Sequence, residues 1–135
     1  MNVSKVVYLG DLRTEAVHLP SGTIVRSDAP VDNQGKGELF SPTDLVATAT
    51  ASCMLTTMGI VARKHNIMME GSEVEVTKVM TNNPRRIAEI HTLLKIPSGI
   101  LTDADKALLE NAALNCPVVL SLSPEIKKVI QFEYV

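Results

Sequence analysis

The sequence predicts an α+β fold, and two observations carry that prediction. One is a long uncharged helical run in the middle of the chain. The other is the grouping of extended segments on both sides of it, with no strand–helix alternation of the kind that builds a parallel sheet. The 135 residues suit one domain spanning 1–135. Hydrophobic residues make up 45% and charged residues 21%, a globular composition. A net charge of −2 and an aromatic content of 3% give little with which to neutralise phosphates or stack bases, so nucleic acid is not an expected partner.

The elements follow in order. Val3 to Tyr8 is β-branched and apolar and reads as a strand. Arg13 to Leu19 reads as a second, closed by the turn residues Pro20, Ser21 and Gly22, and Thr23 to Arg26 returns as its hairpin partner. Residues 27–41 carry Gly, Pro, Asn and Asp and read as a long loop, with Gly35-Lys36-Gly37 its flexible part. Ser41 then caps a helix, Pro42 suits its first position, and Asp44 stands three after the cap. Leu45 to Ala62 holds no charge, and Arg63, Lys64 and His65 close the helix with the sign its dipole prefers. Its length would allow a membrane span, but five Ser or Thr residues argue for a helix buried nearly all round, and no membrane is expected. A small domain has difficulty enclosing such a helix, so self-association is expected to cover what remains.

Residues 72–80 alternate with period two, Asn82-Asn83-Pro84 turns the chain, and Arg85 to Pro97 returns as a long strand. Thr102 caps a helix with Asp103 and Asp105 in its first turn and Asn115 at its end. Cys116-Pro117 opens a short turn, and Ile126 to Val135 is the final strand.

Two cysteines are too few for a secreted disulfide scaffold, and the N-terminus carries no basic segment followed by an apolar one, so the expected compartment is the cytoplasm. Cys53 lies mid-helix and Cys116 at a helix start, 63 positions apart, which is no metal spacing. Two readings stand: two packed thiols, or a redox pair able to close a disulfide. A reactive thiol must ionise, and an apolar helix opposes that unless a cation is near. Arg13 and Arg26 on the early strands are candidates. By the dipole argument alone, Cys116 ionises more easily and attacks first. His18, His65 and His91 share no element, and no phosphate loop, nucleotide fingerprint or hydrolase elbow is present, so neither a metal nor a cofactor is expected.

Phe40 to Ile60, F-S-P-T-D-L-V-A-T-A-T-A-S-C-M-L-T-T-M-G-I, resembles the central-helix signature of the OsmC/Ohr family. Asn115-Cys116-Pro117-Val118 resembles the family's second-cysteine motif, and residues 10–22 and 27–30 its N-terminal hairpin. The resemblance implies antiparallel sheets around a long buried central helix, in an intertwined homodimer. It implies a thiol-dependent peroxidase of organic hydroperoxides and hydrogen peroxide. Cys53 then becomes the sulfenic acid, Cys116 condenses with it, and a dithiol reductant of lipoyl or thioredoxin type resets the pair. This reverses the dipole argument. Arg13 matches the family's thiolate-stabilising arginine.

One departure stands out. Where the family's peroxidases place a Glu after the helix-start Pro to hold the arginine, this chain has Thr43. Asp44 is nine residues before Cys53, roughly half a turn away around the helix, and suits a cap instead. Glu15, two along from Arg13 on the same strand face, and Glu38 in the loop are the expected replacements. Ala49, Thr56 and Thr57 share the face of Cys53 and are the expected substrate contacts. An alternative role keeps the fold without turnover: a thiol redox sensor or a carrier of small apolar ligands.

Overall fold

The computed structural model describes residues 2–97 and 99–135. The chain divides into two compact units, Met1–Val46 and Ala47–Val135.

The first unit is a three-stranded antiparallel sheet in the order β1-β2-β3, made of β1 (Ser4–Gly10), β2 (Arg13–His18) and β3 (Ile24–Asp28). Asp11 and Leu12, with φ of 53° and 62°, make the tight turn between β1 and β2. Positive φ at both central residues matches the right-handed strand twist, and this turn is what sets Arg13 as the first residue of β2. β3 runs two residues beyond the Arg26 expected from sequence, so Ser27 and Asp28 join the ladder opposite Thr14 and Arg13. The segment after it is pinned rather than flexible. A 3-10 turn spans Val31–Asn33, and Gly37 N–H donates to the Ala29 carbonyl at 3.3 Å. A Cβ on Gly35 would sit 1.8 Å from that same carbonyl oxygen, so only glycine fits there.

Helix α1 (Pro42–Lys64) begins with the expected capping box. Asp44 N–H donates to Ser41 Oγ at 3.0 Å, and Ser41 N–H donates to Asp44 Oδ2 at 2.9 Å. The helix is long and apolar enough to cross a bilayer. It is not buried all round, however. Ala47, Thr50, Ala51, Met54, Met58 and Ala62 form one buried stripe, while Val46 and Ile60 are exposed. The spacing of three and four is that of a helix with one core face, and the remaining uncharged face lies open in the single chain.

The second unit adds β4 (Glu73–Thr81), β5 (Arg86–Ile96), α2 (Asp103–Leu114), α3 (Pro117–Ser121) and β6 (Lys127–Tyr134). Its sheet, in the order β4-β5-β6, is mixed: β4 and β5 are antiparallel, but β6 lies parallel to β5. The expectation of antiparallel sheets is corrected here. α2 and α3 form a crossover that brings the chain back in its original direction, the connection parallel strands require. A bulge at Ala88 shifts the inward parity of β5, so Ile87 is followed inward by Ile90, Thr92, Leu94 and Ile96. Leu94 and Ile96 pack with Met54, Met58, Ala62, Leu109, Ala112 and Ala113 into the main core, which also takes in Cys116.

Candidate active site

Cys53 borders the buried stripe of α1. Its neighbour Met54 is sealed in the core, while Cys53 is only half-buried and packs on the same apolar cluster as Cys116. One turn further on, Thr57 Oγ1 lies 3.9 Å from Cys53 Sγ. Cys116 is 0% exposed and caps the five-residue α3, whose Pro117 needs no hydrogen bond at the first position. Both thiols are free. They are brought together from positions far apart in the chain: Cys53 packs against the apolar cluster that encloses Cys116, and its sulfur influences the Cys116 thiol.

Burial pushes the Cys116 thiol up from its ordinary value of 9.0. The N–H groups of Val119 and Val118 pull the other way, and the Cys53 sulfur adds to the rise through its hydrogen bond and charge. The dipole argument that made Cys116 the readier anion therefore fails. A single helical turn supplies little field, and complete desolvation outweighs it.

In the first unit, Arg13 and Asp28 are directly opposed cross-strand partners. Arg13 Nε donates to Asp28 Oδ1 at 2.7 Å and Nη2 donates to Oδ2 at 2.9 Å. Asp28 is 1% exposed and also accepts the Glu38 backbone N–H at 3.2 Å. The Arg13 guanidinium holds this carboxyl below the usual 3.8 through its hydrogen bonds and then its charge, against the opposing effect of burial. The Glu38 carboxylate stands 3.8 Å from Arg13 Nη2 and is largely exposed. Glu15 does not hold Arg13. It lies opposite Arg26 and accepts from that residue's Nε at 2.9 Å, because the antiparallel register pairs each acid with the base on the neighbouring strand.

Asp28 was not among the carboxylates expected from sequence. Its signal was present: the register that places Glu15 opposite Arg26 places Arg13 opposite residue 28. Ending β3 at Arg26 hid it.

Ala49 and Thr56 lie on the exposed side of α1, and Thr56 Oγ1 donates to the Ser52 carbonyl at 2.8 Å. Thr56 lines a cleft of about 550 Å³ with Gly59, Ile60, Arg63, Met68 and Glu70. Ala49, Cys53 and Thr57 do not line it. Among the described residues, no group of three or more His, Cys, Asp or Glu is arranged to hold a metal ion.

One thiol stands in the middle of the core helix and the other before a proline, and the model of the OsmC-like protein family matches residues 35–130, a span that holds both. The chain belongs to the OsmC-like family. A Psychrobacter arcticus crystal structure, described provisionally as an osmotic stress induced and detoxification response protein, is 51% identical to this OsmC-like chain. That match covers 98% of this chain and 96% of that one, with a TM-score of 0.93. An organic hydroperoxide resistance protein OsmC from Legionella pneumophila is 18% identical over 98% of this chain and 96% of its own, with a TM-score of 0.75. A Vibrio cholerae protein, provisionally of organic hydroperoxide resistance and with captopril in one of its active sites, is 15% identical over 98% and 92%, with a TM-score of 0.74. The last two share the fold. No functionally curated protein matches the sequence.

Proposed function

We propose that this OsmC-like protein is a thiol-dependent peroxidase that reduces organic hydroperoxides and hydrogen peroxide. The observation that carries the reading is the asymmetry of the two thiols: Cys53 half-buried, Cys116 sealed, with burial pushing its thiol up. The Cys53 thiolate attacks the terminal peroxide oxygen. The O–O bond breaks, the alkoxide leaves and takes up a proton, and Cys53 becomes a sulfenic acid. The Cys116 sulfur displaces the sulfenic oxygen as water and closes a disulfide, which a lipoyl- or thioredoxin-type dithiol reduces by exchange. The sum is one hydroperoxide and one dithiol converted to one alcohol, one water and one disulfide. A buried resolving thiol suits this order, because it meets the oxidised sulfur before solvent or a second peroxide does.

Arg13 is the cation this reading assigns to the Cys53 thiolate and the leaving oxygen. Ala49, Thr56 and Thr57 are assigned to the substrate, with Thr57 Oγ1 3.9 Å from the sulfur. The family relationship and the hydroperoxide-resistance descriptions of its structural neighbours support the reaction class. A cytoplasmic homodimer completes the reading. Val6, Ala16 and Val25 form a cross-strand row on one face of the first sheet, with Val6, Val25 and the neighbouring Tyr8 exposed, and a second copy would cover such a face.

Reduced protein mixed with cumene hydroperoxide is expected to lose both thiols while the peroxide becomes the alcohol. Cys53→Ser is expected to abolish turnover, and Cys116→Ser to leave a sulfenic acid on Cys53 that dimedone traps. Unconsumed peroxide and two intact thiols would discard the proposal.

A further inference from the structure

Resting on the peroxidase reading above, we infer that Asp28 is the residue that positions Arg13, from within β3 rather than from the start of α1. A guanidinium has five N–H donors in one plane. Asp28 takes one from Nε and one from Nη2, at 2.7 and 2.9 Å, which fixes both the position and the tilt of that plane. Nη1 takes no part in that fork.

Three features make Asp28 the anchor. It faces Arg13 directly across the β2–β3 ladder, so the pairing is built into the strand register. It is 1% exposed, and a carboxylate so enclosed is stable only while its charge is matched. A third donor, the Glu38 backbone N–H at 3.2 Å, holds its second oxygen. The Glu38 side chain, 3.8 Å away and mostly exposed, adds attraction without directing the plane.

Asp28 acts through Arg13, so its effect on the rate must vanish when Arg13 is gone. The second-order rate of Cys53 oxidation by cumene hydroperoxide is expected to fall about tenfold or more in Asp28→Asn, as a charge-assisted fork is lost. In an Arg13→Gln background the same change is expected to cost less than about twofold, because residues acting as a unit are not additive. Equal losses in both backgrounds, or a folded Asp28→Asn protein at the wild-type rate, overturn the inference. If Asp28→Asn does not fold, Arg13→Lys serves instead. It keeps the charge but not the fork, and a wild-type rate in that variant counts against Asp28 as the anchor.

A nitrogen-detected spectrum separates this inference from the reaction it rests on. The Arg13 Nε–H is expected to be resolved and slow to exchange in the wild type, and to merge with the other arginines in Asp28→Asn. If that pattern holds while the wild type leaves peroxide unconsumed, the reaction is wrong and the positioning stands. A fast-exchanging Arg13 in the wild type overturns the positioning whatever the turnover.

Discussion

Each of the two cysteines is decided by what surrounds its sulfur. Cys116 is fully enclosed, and its thiol is pushed up first by burial and then by its neighbour. Iodoacetamide at pH near 8 is therefore expected to modify Cys53 well before Cys116, read by peptide mass spectrometry. Labelling of Cys116 first would reverse the assignment of roles. Asp28 makes a second prediction at this scale. Its folded pKa lies below the ordinary 3.8 because Arg13 favours the ionised form. The stability it contributes is thus fully present above pH 3.8 and fades as the pH falls through the depressed folded value. Melting temperatures of the wild type and Asp28→Asn should differ most near neutrality and converge in acid. A gap that stays constant down to about pH 2 would mean that the pair's charge contributes nothing to folding.

Among the elements, helix ends were legible because their chemistry is local. Thr102 Oγ1 accepts from Asp105 N–H at 3.0 Å, and Asp105 Oδ2 accepts from Thr102 N–H at 3.1 Å, a reciprocal cap contained in four residues. Thr102→Ala is expected to cost about 1 kcal/mol of stability in urea unfolding. A loss below about 0.2 kcal/mol would show that packing alone holds α2. The same reasoning located α1 from Ser41 and Asp44. What the cap could not reveal was how much of α1 is covered, because the partners of Met54 and Met58 lie 36 to 55 residues downstream, at Leu94, Ile96 and Leu109. Strand direction failed for a similar reason. Alternation in residues 127–134 marks a strand whichever way it runs, and only the crossover through α2 and α3 makes it parallel.

For the whole molecule, the proposed second copy gives a direct expectation. Sedimentation should report about twice the chain mass of 14.6 kDa. Val6→Lys with Val25→Lys should shift that mass toward the single chain, since charge on an apolar contact is costly. A wild-type monomer at micromolar concentration would remove the dimer from the proposal and leave the thiol pair as it is.

The sequence by itself determined the α+β class, the positions of both cysteines, the caps of α1 and α2, and the arginine on β2. Each of these is written in residues within a turn or a strand of one another, or in a motif long enough to mark a family. The tertiary structure alone decided that Asp28 rather than Glu15 grips Arg13, that Cys116 is the sealed thiol, and that the second sheet is mixed. Strand register and burial are sums over contacts from distant parts of the chain. A two-residue extension of β3, which alters little in the local pattern, was enough to change which acid meets the guanidinium.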